Sequence, residues 1–459
     1  MGTHRGIARH RRKPEMASEQ TGCGPMPREI GMSRPELDII ALRREFHRHA
    51  EPGWCEVGTT AAVVEALKSL GWAVRFGPDV VDAEARMGLP PDDVMAEFHD
   101  RAIGNGADRD VAGRLRNGFT GVVGSLKGER PGPTIAVRVD MDANLGDEAA
   151  DQAHLPARLG FRSRHDGVLH NCGHDGHTAI GLGLAAALSG AGADLGGEVR
   201  LIFQPAEEGL RGARSMVAAN VLDGVDLFFG FHIGVQALSP GELIAGYRNI
   251  LASAKFDTSF TGQSAHAAIS PHVGRNAILA AAIATQGLLS LPRHGDGETR
   301  INVGRILGGE SRNTIPSSAR IEAEIRADTT EILDAMQQQA ERVVRGAAQG
   351  QDVEVSIDYL GRSCAGNSDT DLTQFVADTA RHLDQVSSIR LSEDFKGSDD
   401  AAEMMSAVQQ QGGKAVYMGF GSEMAAVHHN PSFDFGEKVL PFGVRVLERL
   451  IFEAGNIGA

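Results

Sequence analysis

The sequence predicts an α/β protein in which a doubly wound, mainly parallel sheet carries the chemistry and a smaller α+β sandwich is inserted into it. Three observations predict this. Apolar runs ending in acids or histidines alternate with helical segments, the pattern of parallel strands joined by crossover helices. The stretch from Ala252 to Tyr359 reads differently, as four alternating strands and two helices with no candidate metal ligand in its strands. At 459 residues the chain exceeds what one hydrophobic core usually organises. The expected partition is a discontinuous catalytic domain over 34–251 and 360–459, an inserted domain over 252–359 and a disordered tail over 1–33.

In chain order, the tail holds one basic cluster, THRGIARHRRK at Thr3–Lys13. It lacks the serines and amphipathic period of a transit peptide, so a floppy tail or a later start at Met16, Met26 or Met32 is expected. Residues 34–70 carry helical periodicity interrupted at EPGW (Glu51–Trp54), and 82–116 read as a polar helical insertion. PTIAVRVDMDA (Pro133–Ala143) is a buried strand whose apolar run stops at Asp140 and Asp142. LHNCGHDGH (Leu169–His177) leads into HTAIGLGLAAALS, a helix of small residues suited to close packing on a sheet. GEVRLIFQPAEEG (Gly197–Gly209) is a strand ending in Glu207 and Glu208, and VDLFFGFHIG (Val225–Gly234) is one ending in His232. KAVYMGFG (Lys414–Gly421) precedes a loop with His428 and His429. In the insert, strands are expected at 255–262, 300–309, 319–327 and 353–360, with helices near 275–291 and over 330–349.

Composition excludes whole classes of function. Net charge is −15, from 45 Lys and Arg against 60 Asp and Glu, whereas nucleic-acid binding needs clustered cations to neutralise phosphates. No apolar run is long enough to span a membrane, so none is expected as a partner. Four cysteines, Cys23, Cys55, Cys172 and Cys364, are too few and too scattered for a disulfide framework, which points to a reducing cytoplasm.

Ligands of doubly wound sheets bind outside the carboxyl ends of the strands, and the acids and histidines gather there. Cys172 and His174 flank a glycine, so both can reach one metal in a tight turn. One carboxylate from Glu207 or Glu208, His232 and a C-terminal histidine complete a sulfur, nitrogen and oxygen set suited to zinc or manganese. A pair of such ions about 3.5 to 4 Å apart acidifies water and polarises a carbonyl, leaving a carboxylate to carry the proton to a leaving amine. That is amide hydrolysis. The rival reading makes Cys172 a nucleophile with His174 or His177 as its base.

Taken together, DMDA, HNCGHDGH, FQPAEEG, FHIG, GQSAHAAISPHVGRNAI, GGESRNTIP and HHNPSFDF resemble the amidohydrolase branch of the metallo-aminoacylase/carboxypeptidase family, over nearly everything after Arg34. RMGLP, GFTG, RVDMDA, GHDGHTAIGLGLA and the RGAR after FQPAEEG narrow the resemblance to members acting on p-aminobenzoyl-glutamate, with indole-3-acetyl-aspartate as the alternative substrate. The resemblance implies two divalent ions, Mn2+ or Zn2+, held by Cys172, His174, Glu208, His232 and His429, with Cys172 bridging. It implies Glu207 as general base and acid and Asp142 as the carboxylate that orients a ligand. It makes the insert a lid and dimerisation domain whose His266, Arg312 and Asn313 bind a small N-acyl amino acid. A homodimer in which His266 acts across the interface is expected, or else a related second subunit. Two positions depart from the pattern: Asn144 stands where Leu usually follows DMDA, in an unusual LGDEAADQAHLP loop, and Asn171 stands where Ala usually precedes the cysteine.

Overall fold

A computed structural model describes residues 37–455; the expectations for the tail at 1–33 lie outside the described residues. The strands that build the main sheet and the insert are, in chain order, β1 (Ala73–Phe76), β2 (Val122–Lys127), β3 (Arg130–Asp140), β4 (Gly196–Gln204), β5 (Leu227–Ile233), β6 (Glu242–Ile244), β7 (Ala252–Thr261), β8 (Thr299–Gly308), β9 (Ser318–Ala327), β10 (Glu354–Ser363), β11 (Ser388–Arg390) and β12 (Lys414–Phe420). The longer helices are α1 (Ile39–Arg48), α2 (Val57–Ser69), α3 (Asp92–Gly104), α4 (His174–Leu188), α5 (Ala277–Leu289), α6 (Thr330–Gly350), α7 (Thr370–Ala380), α8 (Ala401–Gln410) and α9 (Val439–Ala454).

Eight strands form the main sheet in the order β1-β2-β4-β3-β5-β12-β6-β11. Its centre, β4-β3-β5-β12, is parallel throughout, while β1, β2 and β6 join by antiparallel pairings at the flanks. The central strands bury both faces, so successive residues alternate between two cores. Val137, Val139, Leu201, Phe203, Phe229, Phe231, Val416 and Met418 pack with α2, α4, α7 and α9. Their neighbours Ala136, Ile202, Phe228, Ala415 and Tyr417 pack with α8. This period of two on a sheet covered by helices on both sides explains why the strands read as continuous apolar runs.

Residues 252–363 form a separate four-stranded antiparallel sheet, β8-β9-β7-β10, against which α5 and α6 bury Ala280, Ala284, Leu333 and Val344 on Phe256, Phe260, Ile321 and Ile325. A short ribbon, Ala265–His266 paired with Thr314–Ile315, extends from it.

Two boundaries at the carboxyl ends of the main sheet differ from those read in the sequence, each for a local reason. β4 stops at Gln204, because Pro205 has no amide hydrogen to donate and Ala206 takes a left-handed φ of 50°, so Glu207 and Glu208 lie in a turn. α4 starts at His174 and not at His177: Gly173, at φ 101°, supplies the left-handed corner that lets the helix begin directly after Cys172. Among the described residues no helix is long and apolar enough to cross a membrane.

Candidate metal centre

The parallel strands deliver the site at their carboxyl ends. β3 runs into Asp142, β4 into the Glu207–Glu208 turn, β5 carries His232 next to its last residue, and the loop after β12 carries His428 and His429. Two donor triads share one sulfur: Cys172, His174 and His232 form one, and Cys172, Glu208 and His429 the other. Within each triad the donor atoms lie within 4.8 Å of one another. A further triad, His174 with Glu207 and Glu208, joins the acidic turn to them.

The ring nitrogens are sorted by their hydrogen bonds. His174 donates from Nδ1 to the Asp142 carbonyl at 2.9 Å, and its buried Nε2 makes no hydrogen bond. His232 donates from Nδ1 to the Ile233 carbonyl at 2.9 Å, which turns Nε2 to Cys172 Sγ at 3.5 Å. Both rings therefore present a lone pair inward, as metal-bound histidines do. An orphaned buried nitrogen beside a thiol, two imidazoles and a carboxylate is a donor set that fits divalent metal. His177 is different: Nδ1 donates to Asp140 at 2.6 Å and Nε2 accepts the Ile233 amide at 3.0 Å. With both nitrogens engaged, it has no lone pair to offer Cys172 as a base. Of the C-terminal histidines, His428 donates to the Ile233 carbonyl at 3.1 Å, whereas His429 Nε2 lies 3.4 Å from Glu208 Oε1.

The acidic turn is held from two sides. Asp142 accepts the amides of Glu207 at 3.0 Å and Glu208 at 2.9 Å on its two carboxylate oxygens. Buried Glu56 accepts the Ala206 amide at 2.7 Å, which fixes the left-handed residue. The two glutamates then part company. Burial, reinforced by Asp399 and Glu208, pushes the Glu207 carboxyl well above the usual range. Burial also opposes ionisation of Glu208, but His429 and His174 outweigh it and hold this group down to about 2.

Behind Glu207 lies a buried charge network that sequence reasoning missed. Arg138 donates to Asp140 at 2.7 Å and to Gln204 at 2.8 Å, and also meets Asp399 and Asp400 at 3.2 Å each. Asp400 caps the Gly212 and Ala213 amides at 3.1 and 2.9 Å. The signal available was a single arginine inside an apolar strand, which burial obliges to find carboxylate partners. A second missed network lies on the other side of α4. Arg43 bridges Asp175 at 2.7 Å and Asp434 at 2.6 Å, and His47 bonds Asp175 at 2.8 Å and Glu148 at 2.9 Å.

His266, Arg312 and Asn313 meet in the insert's ribbon, where His266 pairs with Thr314 and the Ala267 amide donates to the Asn313 carbonyl at 3.0 Å. All three are exposed. Among the described residues no hydrogen bond or ion pair joins them to the cysteine, histidines and glutamates of the cluster.

Comparison with known proteins agrees with this geometry. Residues 136–453 match peptidase family M20/M25/M40. The chain is 43% identical over 408 residues to a p-aminobenzoyl-glutamate hydrolase subunit of Escherichia coli (strain K12), covering 89% of this chain and 93% of that protein. It is also 43% identical over 411 residues to the indole-3-acetyl-aspartic acid hydrolase of Enterobacter agglomerans, covering 89% and 94%. The crystal structure of the aminobenzoyl-glutamate utilization protein from Klebsiella pneumoniae superposes with a TM-score of 0.76 at 38% identity, covering 90% of this chain and 95% of that one. With a family match over most of its length and a donor set that fits divalent ions, the chain belongs to peptidase family M20/M25/M40 and is a metal-dependent hydrolase of amide bonds.

Proposed function

We propose that the protein hydrolyses p-aminobenzoyl-glutamate to p-aminobenzoate and glutamate in the cytoplasm, using two divalent ions, manganese or zinc. The observation that carries the reading is the shared sulfur: Cys172 belongs to both donor triads, and Glu207 stands beside them as a carboxylate outside either Cys172 triad. His174 and His232 would hold one ion with Cys172, and Glu208 and His429 would hold the other, with the Cys172 sulfur within reach of both. Bound there, the ions supply Lewis acidity toward the substrate carbonyl and toward water. Glu207 takes the proton from water and delivers it to the leaving nitrogen, and its burial suits a group that must hold a proton between the two steps. Asp142 keeps Glu207 and Glu208 divergent by gripping both amides.

Residues 34–251 and 360–459 make up the catalytic domain in this reading, and 252–359 the lid and dimerisation domain. His266 Nδ1 accepts the Ala268 and Ile269 amides at 3.2 and 3.1 Å, which leaves Nε2–H as a donor for a substrate carbonyl. Arg312 and Asn313 meet the substrate carboxylate. A homodimer is supported by an apolar face on the insert, where Ile278, Leu279 and Ile283 of α5 and Ile306 of the edge strand β8 are exposed. The Escherichia coli relative is named as one subunit of its hydrolase, which supports a related second subunit as the other possible partner. Indole-3-acetyl-aspartate is the alternative substrate, supported by an equally similar relative.

The test is a substrate panel on chelated protein reloaded with Mn2+ or Zn2+, reading the released amino acid. The expected order is p-aminobenzoyl-glutamate above indole-3-acetyl-aspartate, with acetyl-leucine far below, because a site built for a carboxylate rejects an analogue lacking it. Turnover that survives chelation overturns the metal mechanism, and equal rates on acetyl-leucine overturn the substrate assignment.

A further inference from the structure

The two positions at which the sequence departs from the pattern it resembles touch each other. Asn144 Nδ2 donates to Asn171 Oδ1 at 2.8 Å and to Glu208 Oε1 at 2.5 Å. Asn144 is placed for this by a two-residue ribbon, Asn144–Leu145 against Val168–Leu169, that sets it opposite Leu169, two positions before Asn171. Asn171 in turn precedes Cys172, and its backbone carbonyl accepts the His429 amide at 2.8 Å, holding His429 at a left-handed φ of 65°. The loop that follows Asn144 is pinned as well. Glu148 accepts from His47, from His154 at 2.8 Å and from the Ser163 amide at 2.7 Å, and the Ala149 amide donates to the carbonyl of Pro431, two residues past His429.

We infer that Asn144 and Asn171 form a positioning pair for one half of the metal centre, the half made by Cys172, Glu208 and His429. The inference rests on the two-ion reading proposed above. Asn144 grips one carboxylate oxygen of Glu208, and Asn171 keeps the Asn144 amide turned toward it while anchoring the backbone of His429. Neither side chain bonds His174 or His232, whose rings are oriented by the carbonyls of Asp142 and Ile233. The pair therefore acts on one ion and not on the other. An apolar residue at position 144 would fill the same volume without directing Glu208, which separates positioning from packing.

The experiment titrates Mn2+ calorimetrically into chelated wild-type protein and into Asn144→Leu, Asn144→Ala, Asn171→Ala and the double variant Asn144→Ala/Asn171→Ala, with melting curves of each apo form. Wild type is expected to take up two ions with two resolvable dissociation constants. Asn144→Leu and Asn144→Ala should raise one constant by about 10- to 100-fold, the usual effect of removing a group that orients a ligand, and leave the other within about twofold. Asn171→Ala should raise the same constant by less. The double variant should match Asn144→Ala alone, because the Asn171 side chain acts through Asn144. Binding unchanged by Asn144→Leu, both constants shifted alike, or additive losses in the double variant overturn the inference. If Asn144→Leu fails to melt cooperatively, Asn144→Ala decides by the same criteria, and failure of both to fold makes the pair a structural element and overturns it. Uptake of fewer than two ions by wild type overturns the two-ion reading instead, a result read from the unmutated protein alone.

Discussion

His174 and Asp142 are joined by a hydrogen bond from the ring Nδ1 to the backbone carbonyl at 2.9 Å, while the Asp142 carboxylate is spent on the amides of Glu207 and Glu208. One residue thus orients an imidazole with its main chain and two carboxylates with its side chain. Asp142→Ala keeps the first contact and loses the second. It should lower metal retention after dialysis by about 10- to 100-fold in affinity and leave the apo protein folded. Metal content by mass spectrometry checks this, and wild-type content in the variant counts against it.

Glu207→Gln and Glu208→Gln should separate cleanly. The first removes the proposed proton carrier and should cut kcat by about 10²- to 10⁴-fold with metal content unchanged. The second should instead lose metal. If elemental analysis shows the opposite assignment, the roles of the two neighbours are exchanged.

The buried Glu51 carboxyl receives the Gly58 and Thr59 amides, both at 2.8 Å, at the start of α2, yet burial pushes it up to about 7. A carboxyl raised in the folded state binds more protons there than in the unfolded chain. Its contribution is therefore complete below about 4.5 and is lost as pH rises toward 7. The difference in unfolding free energy between wild type and Glu51→Gln should fall across that window by up to about 3 kcal/mol and flatten above it. Denaturant melts at pH 4.5, 6 and 8 measure it; a difference that rises with pH refutes the assignment.

His266 should complete the site of its neighbour in a dimer. Glu207→Gln and His266→Ala are each expected to be inactive. When the two are unfolded and refolded together, about half the dimers are mixed and each mixed dimer regains one whole site, so roughly a quarter of wild-type activity should return. No recovery, in a sample where co-purification of differently tagged chains proves that mixed dimers formed, places His266 within its own chain.

Much of this was legible in the sequence because parallel strands write their chemistry at one end. His232 stands out as the only titratable group near the end of VDLFFGFHIG apart from its leading aspartate, and the structure sets it in β5 facing Cys172. The choice between His428 and His429 was not legible from adjacency; it depends on a backbone turn that gives His428 the Ile233 carbonyl and His429 the Glu208 side of the site. His177 looked as ligand-like as His174, and only the fold shows Asp140 and Ile233 occupying its two nitrogens. Asp399 and Asp400 lay hidden in a stretch without periodicity, and Asp400 lies 262 residues from the Arg138 that it meets. Contacts made at such separation leave no trace in spacing, so no local pattern could have supplied them.

Arg43 has a consequence for how the protein is made. Its guanidinium reaches Asp175, beside His174, and also Asp434, which lies 391 residues further along the chain than Arg43. At a synthesis rate of about 5 to 20 residues per second, Asp434 is polymerised roughly 20 to 80 s after Arg43. Until then a nascent chain can display Cys172 and His174 while the Asp434 end of the anchor on α4 and the helix α9 are still missing. Metal capture by the finished centre is thus deferred until synthesis has passed residue 429, and a chain stalled before it carries a thiol without its full set of companions.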